Sequence, residues 1–256
     1  MGLRTSDLVK LGERLRQLIK DQTDQSSMTR VVGIGADGTA TTYIDKICDD
    51  AVLDFVSEND LPFNVISEES GLTSRGFERN LLVDPLDGTF NAEVGFPFYS
   101  LSVADVGTDL RSVRYGFVMN LNSGEFYYAE SGKGAYRNGA RIRVSESTVG
   151  CSIGNLGKYP DRSMNPLIRS PGRIRSIGCA SLELCLLAQG SADVVSYMGP
   201  GNYVRNVDIG AGYIILIEAG GQILDGDGKP LNMGLDVRER KNFIAVRSRE
   251  ELEEFL

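Results

Sequence analysis

Two short stretches hold the residue types best suited to chemistry. In "VISEESG" an apolar run ends on Glu68 and Glu69; in "NLLVDPLDGT" another ends on Asp84, with Asp87 shortly after. Leu81, Leu82 and Val83 predict a buried strand, which places both aspartates at the rim of a core. A buried carboxylate is costly unless it is paired, hydrogen-bonded or bound to metal. Either motif alone reads as solvated turn acids. On neighbouring strands the two make an all-oxygen site suited to Mg²⁺ or Mn²⁺. Pro85 stiffens the turn between the aspartates and stops it continuing as a ladder. Gly88-Thr89 is placed to open a helical turn whose backbone N–H groups face an anion. Metal beside anion points to a phosphate substrate. A further acid, Asp208, opens the apolar stretch "VDIGAGYIILIEAGG", where helix capping alone also accounts for it.

The rest of the composition narrows the chemistry. Among 256 residues there is no histidine, which excludes Ser-His-Asp and Cys-His catalysis and nearly all catalytic zinc sites. Catalysis then falls to carboxylates, hydroxyls, Lys, Arg, Tyr or oxygen-preferring metals. A net charge of −8 argues against broad nucleic-acid binding. No apolar run approaches the ~20 residues of a membrane span, and the start "MGLRTSDLVKLGERLRQ" is too charged for a signal peptide. Cys48, Cys151, Cys179 and Cys185 form no C-x-x-C pair and fit a reducing cytoplasm.

The elements that must position these acids are readable from periodicity. Leu8, Leu11, Leu15, Leu18 and Ile19 predict a helix over 5–21, and Ile44, Ile47, Val52 and Phe55 another over 42–58, with a polar, glycine-rich loop between. "FNVIS" and "LLVD" are short strands, and alternation over 98–144 predicts an antiparallel meander. The second half alternates as α/β: strands at "CSIGNL", "RIRSIG", "ADVVSY", "QILD" and "NFIAV", helices over 181–189 and 207–218, and a terminal helix capped by Ser248. Two tightly packed lobes are expected, 1–145 with the metal site and 146–256 with the substrate-binding residues.

"SEES…VDPLDGT…VDIGAGYIILIEAGG" resembles the inositol monophosphatase family of lithium-sensitive, Mg²⁺-dependent phosphatases, all three blocks occurring in order. The loop "GADGTATTYID" looks most like its archaeal branch, whose members act on inositol phosphates and fructose 1,6-bisphosphate. The resemblance implies a layered αβαβα sandwich, an α+β or α/β fold of the sugar-phosphatase type. It implies that Glu68, Asp84, Asp87 and Asp208, with the Leu86 carbonyl, hold the metals. Thr89 would help polarise the attacking water, and Asp37 or Asp45 would serve a third, weaker metal on a mobile loop. Val207 stands where the family commonly has tryptophan, a loss of packing bulk at the substrate edge. The four acids sum to −4, and two divalent ions balance them. Two to three Mg²⁺ per subunit are expected, with Mn²⁺ as a substitute.

Substrate binding is expected from Asp87, Gly88 and Thr89 together with the second lobe. Arg173 and Arg175 share one side of a strand and suit either a distal phosphate or a solvated basic edge. Gly178, Cys179, Ala180 and Ser181 look like the family's segment lining the sugar-hydroxyl pocket; Tyr159, Tyr203 and Arg205 are lesser candidates. Gly33, Gly35 and Gly38 match a dinucleotide fingerprint, but without a good preceding strand they read as a flexible loop. The expected protein is a cytoplasmic, homodimeric phosphomonoesterase of small sugar or polyol phosphates. Phosphatases of 3′-phosphoadenosine phosphate or NADP on the same fold, and a non-catalytic regulatory protein, are the alternatives.

Overall fold

The structure, a computed structural model, describes residues 3–22, 25–155, 172–199 and 203–248. Helix α1 (Thr5–Asp21) and a short α2 (Gln25–Met28) lead into a hairpin, β1 (Val31–Ile34) with β2 (Ala40–Thr42). The glycine-rich segment expected to be loop is therefore partly strand, because its flanking Val and Thr residues pair across the turn. Next come α3 (Tyr43–Glu58), β3 (Asn64–Ser67), β4 (Gly71–Thr73), β5 (Asn80–Asp87) and α4 (Thr89–Val94). The meander follows as β6 (Ser100–Val106), β7 (Tyr115–Asn120), β8 (Phe126–Glu130), β9 (Gly134–Arg137) and β10 (Ala140–Ile142). The second half comprises β11 (Cys151–Gly154), β12 (Arg173–Arg175), α5 (Ala180–Ala188), β13 (Val194–Tyr197), α6 (Asn206–Glu218), β14 (Gln222–Asp225) and β15 (Phe243–Val246).

Strands β11 to β15 form a five-stranded sheet, order β12-β11-β13-β15-β14, and β3 to β10 a larger, eight-stranded one, order β10-β9-β8-β7-β6-β5-β3-β4. Its central strands β3, β5, β6 and β7 are buried on both faces, while β4, β8, β9 and β10 toward its edges are partly exposed. Leu81, Val83, Leu101, Val103 and Phe117 pack against Leu8, Leu11, Val52 and Phe55 of α1 and α3. Their neighbours Leu82, Ala104 and Val118 face the other way, into a core shared with α5, α6 and the inner face of the second sheet. The described layers therefore run helix, sheet, helix, sheet. The predicted C-terminal helix and Tyr159 lie outside the described residues.

Helix α6 belongs to the second half of the chain but packs on the first sheet. Gly210 permits this, since a Cβ there would lie 2.8 Å from Leu82 Cδ2 of β5, and Gly212 likewise lets α5 approach, a Cβ there lying 2.8 Å from Leu184 Cδ1. The close approach carries the first turn of α6, and with it Asp208, to the rim where β3 and β5 end.

Candidate metal centre

Strands β3 and β5 pair in parallel, with Ser67 opposite Val83, so the next residues, Glu68 and Asp84, emerge side by side. Asp84 and Asp87 are three apart, and a regular strand would point them to opposite faces. Strand β5 does not stop at Pro85, as the sequence reading expects. It runs on to Asp87 through a bulge, Asp84 pairing with Ser102 and Asp87 with Ser100. Ser100 and Ser102 share a face of β6, so one extra residue on β5 brings both aspartates to the same side. Proline supplies the break in the ladder, and Asp84 Oδ1 accepts the Leu86 N–H at 3.0 Å to hold the bulge.

Carboxylate oxygens of Glu68, Asp84 and Asp208 lie within 4.8 Å of one another. Asp84 and Asp208 are 2 % and 6 % exposed, so their charges are held out of bulk water. Burial, then the Asp87 and Asp208 charges, push the Asp84 carboxyl well above its ordinary value. Burial and the Asp208 charge lift Asp87 to about 6, against the hydrogen bonds from Ser181 that favour its anion. Four acids in one buried rim thus create a demand for positive charge.

Asp208 is not the N-cap of α6. It is the third helical residue, and its Oδ2 accepts the backbone N–H of Arg205, the cap position, at 2.8 Å. Asp45 has the same place in α3: its Oδ2 accepts the Thr42 N–H at 3.0 Å, completing a capping box. Asp45 therefore sits on a helix, not on a loop. With Glu68, Glu69, Asp84, Pro85 and Leu86 it lines one groove. Its other oxygen accepts from Thr89 Oγ1 at 2.8 Å, and the Leu86 carbonyl lies 3.1 Å from the same hydroxyl. Nothing in the spacing of Asp45 and Thr89, 44 residues apart, signals that they touch.

Asp37 lies in the β1–β2 turn. Burial alone would raise it, but the Thr39 N–H and the Arg240 and Arg205 guanidinium groups hold it down to about 2. Asp37 Oδ2 is 2.9 Å from Arg205 Nη1 and 2.8 Å from Arg240 Nη2. Arg205, expected at the substrate edge, is instead inside the acidic cluster. Its Nη1 also pairs with Glu68, and its Nη2 lies 2.8 Å from Asp208 Oδ1. Glu69 points to Thr41, and burial followed by the Asp45, Asp49 and Asp37 charges raises it to about 7.

The remaining substrate candidates divide. Gly88 (φ 86°) is left-handed, as the turn into α4 demands, and a Cβ there would sit 3.0 Å from the Phe98 carbonyl. Cys179, Ala180 and Ser181 are buried at 0 %, 5 % and 0 % exposure. Ser181 donates to Asp87 Oδ2 from its N–H at 2.8 Å and its hydroxyl at 2.6 Å, and Cys179 Sγ lies 3.3 Å from the same oxygen. These residues brace Asp87 from behind instead of opening to a pocket. The Ile177 carbonyl, next to Gly178, accepts from Asn91 Nδ2 at 2.9 Å, tying the segment to α4. Arg173 and Arg175 are exposed on edge strand β12, and among the described residues no bond links them to the acids. Tyr203 packs over Gly199. Val207, where the family commonly has tryptophan, is buried.

Missed altogether was Asp49, 2 % exposed, which accepts from Ser67, the last residue of β3. Its helical position among apolar residues resembles a solvated face, and only the partner strand shows otherwise.

Comparison with known proteins agrees with this geometry. The inositol monophosphatase family model matches residues 5–256. A fructose-1,6-bisphosphatase/inositol-1-monophosphatase of Archaeoglobus fulgidus is 39% identical over 238 residues, 92% of this chain and 86% of that one. A bifunctional NADP phosphatase/NAD kinase of Methanococcus maripaludis is 31% identical over 268 residues, covering 92% of this chain but 46% of its own length. A solved inositol monophosphatase–fructose 1,6-bisphosphatase superposes with a TM-score of 0.82 at 30% identity, over 98% of both chains. With the signature acids gathered at one rim and the match running almost end to end, the chain belongs to the inositol monophosphatase family.

Proposed function

We propose that this chain is a Mg²⁺-dependent phosphomonoester hydrolase of small sugar or polyol phosphates, inositol 1-phosphate and fructose 1,6-bisphosphate foremost. The observation that carries the reading is the convergence of Glu68, Asp84 and Asp208 within 4.8 Å. The donor set suits a hard cation: every ligand is oxygen, and burial followed by the neighbouring acid charges raises Asp84 and Asp87. Glu68, Asp84, Asp87 and Asp208, with the Leu86 carbonyl, would hold two ions, Mg²⁺ or Mn²⁺. A third, weaker ion fits Asp45 better than Asp37, whose carboxylate faces two arginines. Bound divalent ions supply Lewis acidity, acidifying water and neutralising phosphate charge.

The protein's own part is orientation. The Thr89 hydroxyl donates its hydrogen bond to Asp45, which leaves the oxygen's lone pairs free to accept a hydrogen bond from the attacking water. Asp45 is itself fixed by the Thr42 cap, so the hydroxyl direction is set before substrate arrives. Gly88 and Thr89 start α4 and would receive the phosphate, while Ser181 and Cys179 hold Asp87 in place. Arg173 and Arg175 are assigned to a distal phosphate.

Phosphate release from both substrates, measured with and without Mg²⁺, tests the reading; no metal-dependent turnover of either overturns it. The NADP phosphatase relatives favour a second reading, and NADP in the same substrate panel separates the two. A cytoplasmic homodimer remains the expected setting. Light scattering on the purified protein tests its oligomeric half. Among the described residues no helix is long and apolar enough to cross a membrane.

A further inference from the structure

We propose that Arg205 is a built-in competitor for the divalent-cation site, a guanidinium latch that sets how tightly the acids take up metal. The inference rests on the metal-site reading above but concerns a residue outside the ligand set.

Arg205 caps α6 and folds back over the acids that follow it. Its Nη1 pairs with Glu68 and lies 2.9 Å from Asp37 Oδ2; its Nη2 lies 2.8 Å from Asp208 Oδ1. The Arg205 backbone N–H takes the other Asp208 oxygen at 2.8 Å. Both oxygens of Asp208 and one of Glu68 are therefore engaged by one residue. Asp208 and Glu68 are also two of the three acids whose oxygens converge. A cation coordinated by that trio and the guanidinium draw on the same lone pairs.

An arginine does not yield by losing its proton. It has to be displaced, and a displaced buried charge is costly unless it keeps a partner. Asp37 is that partner: Nη1 already reaches it, so the guanidinium can release Glu68 and Asp208 and stay paired. Arg240 pairs with the same Asp37 oxygen at 2.8 Å, and the Thr39 N–H holds the other at 2.8 Å. The arrangement is a two-position switch in charge pairing, with Asp37 as pivot.

The test is direct Mn²⁺ binding, read from loss of the free-ion electron paramagnetic resonance signal, on wild type, Arg205→Met and Arg205→Lys. Removing the competitor is expected to tighten Mn²⁺ binding about tenfold, ~1.4 kcal/mol. It should also lower the melting temperature without metal and enlarge the Mn²⁺-induced rise. Arg205→Lys, which keeps the charge but loses the fork, should fall between the other two. An arginine with a merely structural role predicts the opposite sign, because loosening the site weakens metal binding. Arg205→Met that binds Mn²⁺ no tighter than wild type overturns the latch. Should that variant fail to fold, Arg205→Lys binding no tighter than wild type overturns it equally. If wild type binds no Mn²⁺ and Glu68→Gln changes nothing, the metal reading falls and takes the latch with it. Wild-type binding with no gain in the variants removes the latch alone.

Discussion

Two buried carboxyl regions, one on α5 and one at the rim where β3, β5 and α6 come together, meet burial in opposite ways. Glu183, 0 % exposed, accepts the Ile177 and Gly178 N–H groups at 3.1 and 2.9 Å and the Tyr197 hydroxyl at 2.6 Å. Asp84, 2 % exposed, accepts the Leu86 N–H and faces Asp87 and Asp208. Burial raises Glu183 to about 7, and its three donors limit the rise. Around Asp84 like charges add to the burial. The first is a satisfied structural acid that fixes the segment behind Asp87. The second is a cluster of like charges in which Arg205 pairs with Glu68 and Asp208, the geometry on which the proposed competition with cations rests. Burial by itself marks neither as functional; the sign of the neighbours does.

The sharpest way to break this contrast is Asp84→Asn. Mg²⁺-dependent phosphate release should fall on the order of 1,000-fold. Stability without metal should rise by about 1 kcal/mol as repulsion is relieved. Urea unfolding that shows the variant less stable would place Asp84 with Glu183 as a structural acid. Next in size is Thr89→Val, expected to lower kcat about 100-fold while leaving Mn²⁺ affinity within about twofold of wild type. Calorimetry showing lost metal binding would move Thr89 into the ligand set.

Glu183 supplies a pH signature. Its folded-state value, about 7, is above its ordinary 4.5, so between these the folded protein binds more protons than the unfolded chain. Stability therefore falls as pH rises through that window, by about 2 kcal/mol from this group between roughly pH 5 and 7. Asp87 and Glu69, raised in the same direction, slope the same way. Glu183→Gln should flatten the curve by its own share, and an unchanged slope in denaturation scans would assign the effect elsewhere. The smallest effect belongs to Arg173→Gln with Arg175→Gln. KM for fructose 1,6-bisphosphate should rise about threefold, a screened contact at an exposed edge being worth less than 1 kcal/mol. KM for inositol 1-phosphate should not change; equal shifts for both substrates would leave these arginines a solvated edge.

Much of the fold was legible because apolar periodicity is a local signal. Leu8, Leu11 and Leu15 placed α1, and the alternation of 98–144 placed the meander. The hairpin β1–β2 was not legible, since Gly33, Gly35 and Gly38 dominate its composition and its pairing is decided across the turn. At the site, Glu68 was legible as an acid following a strand and Asp208 as one near a helix start, while Asp84 proved to lie within β5, which runs on to Asp87. Arg205 was misplaced because its partners Asp37 and Glu68 lie 168 and 137 residues away. Cys179 and Ser181 were read toward substrate, whereas packing turned them onto Asp87.

By itself the sequence determined the chemistry on offer: acids at the ends of apolar runs, no histidine to compete with metals, and a helix whose glycines allow close approach. Those are properties of residue type and short spacing, and they survive without knowledge of the fold. The tertiary structure alone decided which side each acid faces and which charge it meets. The bulge between Asp84 and Asp87, the Thr89–Asp45 bond and the Arg205 pairing all join residues through strand register or helix docking. Register and docking are fixed by the sum of many contacts, and no short stretch of sequence contains that sum.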